Sequence, residues 1–240
     1  MELVTYEWRR AKSIRTTWIT SFFVVASVAA FAWLGTVATT DIDGNPIQIS
    51  LTDLIQGAVI GNPIALVLLA SLGAMAFGHE YRYGTIRLTL TAFPKRTGVF
   101  FTKLFMTLLI AMLVMVLSVV AAYAVLVLLG DTAGGGLSWA GLAWQVAVYA
   151  STLAVLAFCL TVITRNHPLG IIGPVLLSIL ESALIAILGG RFAWLPDVLP
   201  FASLQAWFDG EEVARAAGVW AAWMLGFLII GFVLLKRRDA

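Results

Sequence analysis

The chain is short of most of what a soluble enzyme uses. Only 12% of its 240 residues are charged, against about 25% in soluble domains. It has one cysteine, Cys159, and two histidines, His79 and His167. A lone cysteine in an apolar run excludes a disulfide framework and a cysteine-based metal site. His79-Glu80 is followed by Tyr-Arg-Tyr, so the second histidine of an H-E-x-x-H zinc motif is missing. With both histidines at the basic rim, no Ser-His pair serves an intramembrane serine protease, and no aspartate cluster on the basic side serves a metal-dependent headgroup transferase. A G-x-x-x-x-G-K-[ST] phosphate loop is also absent, so any ATP must be brought by another chain. No catalytic residue, metal site, bound cofactor or nucleic-acid partner is expected.

What is abundant is apolar sequence. The chain is 61% hydrophobic with a mean hydropathy of +0.96. Six runs, about 17–37, 54–77, 99–129, 141–163, 169–188 and 216–235, are long enough to span a membrane, which takes about 20 helical residues. The predicted fold is all-α and polytopic, one six-helix domain over 1–240. The first run lacks an A-x-A-like cleavage site and is read as retained. Gly61-Asn62-Pro63 interrupts the second run, and Pro63 is expected to kink it, which makes Asn62 a candidate for lining a pathway. The third run is longer than a span needs, which places its start, around Lys103, in the interface. The halves show no inverted repeat of the kind secondary carriers carry.

Charge sets the orientation. Twelve of the fifteen Lys and Arg fall before the first run, between the second and third, between the fourth and fifth, or after the sixth, and Lys103 stands just inside the third run on the same side. Arg191 and Arg215 are the exceptions, and the alternate segments carry acids instead, among them Asp41, Asp43 and Asp131. By the positive-inside rule both termini are expected inside. The glycine-rich outer segment 130–136 is expected to be a flexible turn.

Three segments stand out. In residues 1–16, Leu3, Val4, Ala11 and Ile14 fall on one side of a helical wheel, with Trp18 beyond them, and Arg9 and Lys12 fall on the other. Glu7 and Arg15 break the stripe. This predicts an amphipathic helix at the inner membrane surface, held by apolar contact and anionic lipid, with Trp8, Arg9, Arg10, Lys12 and Arg15 as its interfacial residues. Residues 189–215 are apolar and aromatic but broken by Pro196 and Pro200. They are expected to form short re-entrant or interfacial helices, with Trp194 and Trp207 at headgroup level. In residues 78–98, Ile86, Leu88 and Leu90 alternate with Arg87 and Thr89 between Gly84 and Pro94. Either a solvated topology-setting loop or a docking element for a cytoplasmic partner fits that pattern.

Glu181 lies about 12 residues into the fifth run, near mid-membrane. An intramembrane carboxylate costs roughly 2.5–3.5 kcal/mol on insertion scales and is a functional candidate by default. It is a candidate substrate-pathway residue, or else a packing group bonded to Ser178, Ser182 or Ser118. Gly170 and Gly173, before Pro174, are expected to permit close helix contact.

The pattern Glu80-x-x-x-Gly84-Thr85, then Leu90, Pro94-x-Arg96 and Lys103, resembles the signature of ABC-2-type ABC transporter permeases. The opening EWRRAKSIRTTW is similar to that of actinobacterial members of the family. The resemblance implies a bacterial cell (inner) membrane and a permease subunit, an exporter of a hydrophobic or amphipathic compound. It implies a second permease chain, commonly an identical one, and a separate ATPase subunit that supplies ATP and Mg. It also implies that Glu80, Arg82, Gly84, Thr85, Arg87, Pro94 and Arg96 belong to the region coupled to that ATPase. A non-transporting scaffold or sensor, and an ion-coupled carrier, remain the alternatives.

Overall fold

The computed structural model describes residues 2–37, 49–129 and 137–237. The glycine-rich segment 130–136, together with Asp41, Asp43 and Asp131, lies outside the described residues. Every regular element described is helical, and six helices are long and apolar enough to cross a membrane, which makes the chain an all-α polytopic protein.

The six are α2 (Arg15–Val37), α4 (Pro63–Tyr83), α6 (Arg96–Leu129), α7 (Trp139–Thr164), α8 (His167–Leu188) and α10 (Val213–Arg237). Short helices join or precede them: α1 (Glu2–Ser13), α3 (Leu51–Ile60), α5 (Ile86–Ala92), a single 3-10 turn (Pro196–Val198) and α9 (Pro200–Phe208).

The central pair is α4 and α7, the two most buried spans. Small residues let them close: Ala70, Ala74 and Ala157 are fully buried at their contact. The same device brings α8 onto α7. A Cβ at Gly170 would collide with Thr161, and one at Gly173 with Leu160, so packing accounts for both glycines.

Two expectations need correction. The second apolar run is not one kinked span but two helices. Pro63 occupies the first turn of α4, where its missing N–H is harmless. Asn62 is the N-cap: its Oδ1 accepts from the N–H of Ile64 at 3.0 Å and of Ala65 at 3.1 Å. The break at Gly61-Asn62-Pro63 therefore ends one helix and starts another, and α4 runs on to Tyr83, so the supposed loop 78–98 begins as helix. The alternation in that segment is not strand-like either. Residues 86–92 form a helix whose Ile86 and Thr89, three apart, face inward while Arg87 and Leu88 face out.

Segment 189–215 folds onto the bundle. Trp207 is half-buried and packs in tilted geometry against Trp144 and Trp220, each at 5.4 Å between ring centroids. Trp194, by contrast, is exposed.

Contacts between helix ends give the bundle two unlike ends. One gathers α1, the close of α4, all of α5, the start of α6, the α7–α8 junction and the close of α10. It carries all the described Lys and Arg but Arg191 and Arg215. At the opposite end Arg215 pairs with Asp197 at 2.8 Å and Glu212 at 2.9 Å.

Candidate functional site at the basic end

The break in the amphipathic stripe of the N-terminal segment is where the site begins. Glu7 shares a helix face with Leu3, Ala11 and Ile14, at steps of four and seven. On a surface-lying helix that carboxylate would meet hydrocarbon. Instead α1 docks on the bundle and buries Glu7 to 5% exposure. Arg10, one turn on, points the same way, while Trp8, Arg9, Lys12 and Arg15 remain largely exposed.

Glu7 and Arg10 meet Glu80, from the last turn of α4, and Lys103, two turns into α6. Lys103 is 1% exposed, so it is a cation buried among the helices. Its Nζ lies 2.7 Å from Glu7 Oε1 and 2.7 Å from Glu80 Oε1. Arg10 lies 3.0 Å from Glu7 Oε2 and 3.1 Å from Glu80 Oε1. Both cations also donate to the Ala76 carbonyl at 3.2 Å. Two carboxylates face two cations, so the set is neutral, which is what makes such burial tolerable. The Lys103 ammonium also sits 5.2 Å from the centroid of the Phe77 ring.

The spacing of the Glu80-Gly84-Thr85 motif now has a physical account. Gly84, four residues after Glu80, takes φ 65, a left-handed conformation that glycine adopts without steric cost. The N–H of Thr85 donates to the Glu80 carbonyl at 3.0 Å, closing the helix end. The chain then reverses into α5, and Thr89 Oγ1 returns to donate to Glu80 Oε1 at 3.2 Å. Glu80 Oε1 thus receives Lys103, Arg10 and Thr89 together, while Oε2 is buried without a hydrogen-bond partner among the described residues. Four elements, α1, α4, α5 and α6, are tied to one oxygen.

The other residues singled out in 78–98 are spread around this centre. Arg96 donates to the carbonyls of Leu235 and Lys236, both at 3.2 Å, and so caps the C-terminus of α10. Pro94 sits in the turn between α5 and α6, and Thr85 precedes α5 without a side-chain cap. Arg82 and Arg87 are exposed, as are Tyr83 at 69% and Leu88 at 71%. The rings of His79 and His167 meet edge to face at 5.2 Å where α4 meets α8.

Glu181 and Asn62 do not join this centre. Glu181 is 3% exposed and lies toward the opposite end. Its partners are none of the serines named from sequence. Its carboxylate accepts from the backbone N–H of Phe201, at 3.0 Å, and of Ala202. These are first-turn amides of α9, whose own N-cap, Leu199, has no side chain to offer them. Glu181 is thus a cap supplied from another helix.

Sequence reasoning missed Glu7, Thr89 and the pairing of Lys103. A signal was present for the first and last: an acid on the apolar face of a helix and a lysine inside an apolar run each call for a buried partner.

Residues 3–186 match a protein-family model described as an ABC-2 family transporter protein. A search of curated proteins found no match.

Proposed function

The chain belongs to the ABC-2 family of transporter proteins, and on that premise we propose that it is the permease subunit of an ATP-driven exporter. A separate ATPase docks on its basic end, and the cargo is hydrophobic or amphipathic. Membrane components of this family associate with an ATPase subunit and are generally not catalytic themselves. The basic end faces the cytoplasm of a bacterial cell, with both termini there, and a second copy of the chain completes the pathway. The bias of Lys and Arg toward that end supports the orientation.

The observation that carries the coupling role is the buried ion set. A push on α5 reaches Glu80 through Thr89, and from Glu80 it reaches α1 through Arg10 and α6 through Lys103. In a low-dielectric site these charges cannot separate freely, so the elements move together. The outward face of α5 offers the handle. Leu88 and Tyr83 are large, apolar and exposed, with Arg87 and Arg82 beside them. An apolar contact rimmed by cations is what a docking face needs.

Leu88→Asp is the cleaner probe, because Leu88 is exposed and Glu80 is part of the folded core. A surface change of this kind leaves stability within about 0.5 kcal/mol. The tagged wild-type chain, drawn from its native membrane in mild detergent with ATP present, is expected to bring a P-loop ATPase. The variant is expected to fold equally well but to lose most of that retention and of the stimulated ATP hydrolysis. A wild-type chain that brings no ATPase overturns the transporter reading. A variant that retains it fully removes α5 from the docking face.

A further inference from the structure

An almost wholly apolar groove of about 300 Å³ lies between α1, α2 and α6, outside the ion set. Its floor is one stripe of α6: Ile110, Leu113, Val114 and Leu117, at i, i+3, i+4 and i+7. Leu113 and Leu117 are half exposed, so the groove opens sideways, away from the bundle. Trp8 and Trp18 wall it, and Lys12, four residues from Trp8 on the same face of α1, stands at its basic end. The Trp18 indole N–H donates to the Lys12 carbonyl at 2.9 Å, which fixes that indole beside the lysine. Among the described residues, Lys12 has no carboxylate partner, nor do its neighbours Arg9 and Arg15.

Such a lining gives water too few polar partners to stay. A groove that opens sideways from membrane-spanning helices is filled by a hydrocarbon chain. That chain gains little on leaving the bilayer, because it exchanges hydrocarbon for hydrocarbon. Any preference must come from the headgroup, and the group at the mouth is an unpaired cation. We infer that the groove holds one anionic phospholipid, its acyl chain along the α6 stripe and its phosphate at Lys12.

The position has a consequence for the site. Ala11, Thr17 and Ile110 line both this groove and the smaller cavity that reaches Glu7, Arg10 and Lys103. A lipid seated here therefore braces α1 against α6 directly behind the ion set. The inference shares with the proposed function the placing of this end at a leaflet boundary, and it needs no ATPase.

The test uses the full chain alone, reconstituted in nanodiscs of equal phosphatidylglycerol and phosphatidylcholine. Lipids retained on release are counted by native mass spectrometry. One phosphatidylglycerol is expected to be kept, with about a fivefold preference for one basic contact near the surface. Lys12→Ala removes the cation without disturbing the Trp18 bond, which uses the backbone carbonyl, and is expected to erase the preference. Ser21→Trp fills the groove and is expected to abolish retention, while Lys236→Ala, at another helix end, changes neither. No retained lipid, equal retention of the two lipids, or a preference that survives Lys12→Ala overturns the inference. Because no partner is present, failure here leaves the docking of α5 standing, and failure of Leu88→Asp leaves the lipid site standing.

Discussion

Lys103→Met removes one charge from the ion set while keeping an unbranched apolar side chain of similar length. The thioether can still contact the Phe77 ring that the ammonium faces at 5.2 Å. What is lost is electrostatic. The Glu7 and Glu80 side chains, 6% and 4% exposed, are left with Arg10 alone, so a neutral set becomes a buried net charge of one. Breaking a buried ion pair from one side costs about 3–5 kcal/mol. In a chain of this length each kcal/mol moves the midpoint by about 2–4 °C, so thermal unfolding is expected to fall by about 6–20 °C. Glu80→Gln on top of Lys103→Met restores neutrality, with Glu7 facing Arg10. The double variant is therefore expected to be more stable than the sum of the two single losses, by a coupling energy of about 1–3 kcal/mol. The assay is the helical circular-dichroism signal of all four proteins, melted in one detergent. A shift below about 2 °C for Lys103→Met, or single losses that simply add, would refute a shared desolvated site.

Gly84→Ala puts a Cβ on a residue at φ 65, at a cost of about 1–2 kcal/mol. It is expected to speed amide exchange over 86–92, and unchanged exchange there would show that the turn does not hold α5 in place. Glu181→Ala strips the acceptor from the Phe201 and Ala202 amides. It is expected to cost about 1–3 kcal/mol and to speed exchange over 200–208. Glu181→Gln, which keeps one acceptor oxygen, should fall between. Transport altered with that exchange unchanged would make Glu181 a pathway group instead.

The six spans were legible because a membrane span is a statement about length and polarity along a contiguous stretch. The break at Asn62-Pro63 is visible too, but the sequence points to a kink there and not to a cap. The residues alone do not say whether a proline bends a helix or begins one; Asn62 accepting two amides decides it. Gly170 and Gly173 were read as close-contact residues, and the collisions a Cβ would meet at Thr161 and Leu160 agree.

The chain's sequence by itself determined the class, the number of spans and the uneven sharing of Lys and Arg, all of which are sums over local composition. It also marked Glu80 and Gly84, whose spacing of four is a property of one helix end. Tertiary structure alone decided what those residues meet. Glu7, Glu80, Thr89 and Lys103 lie on four helices, with Glu7 and Lys103 far from Glu80 in the chain, yet the other three converge on the Glu80 carboxylate, directly or through its partner cation. Glu181 likewise finds two amides some twenty residues away. A buried charge must be neutralised by whatever the fold brings to it, and sequence periodicity records which face a side chain occupies, not which group waits opposite.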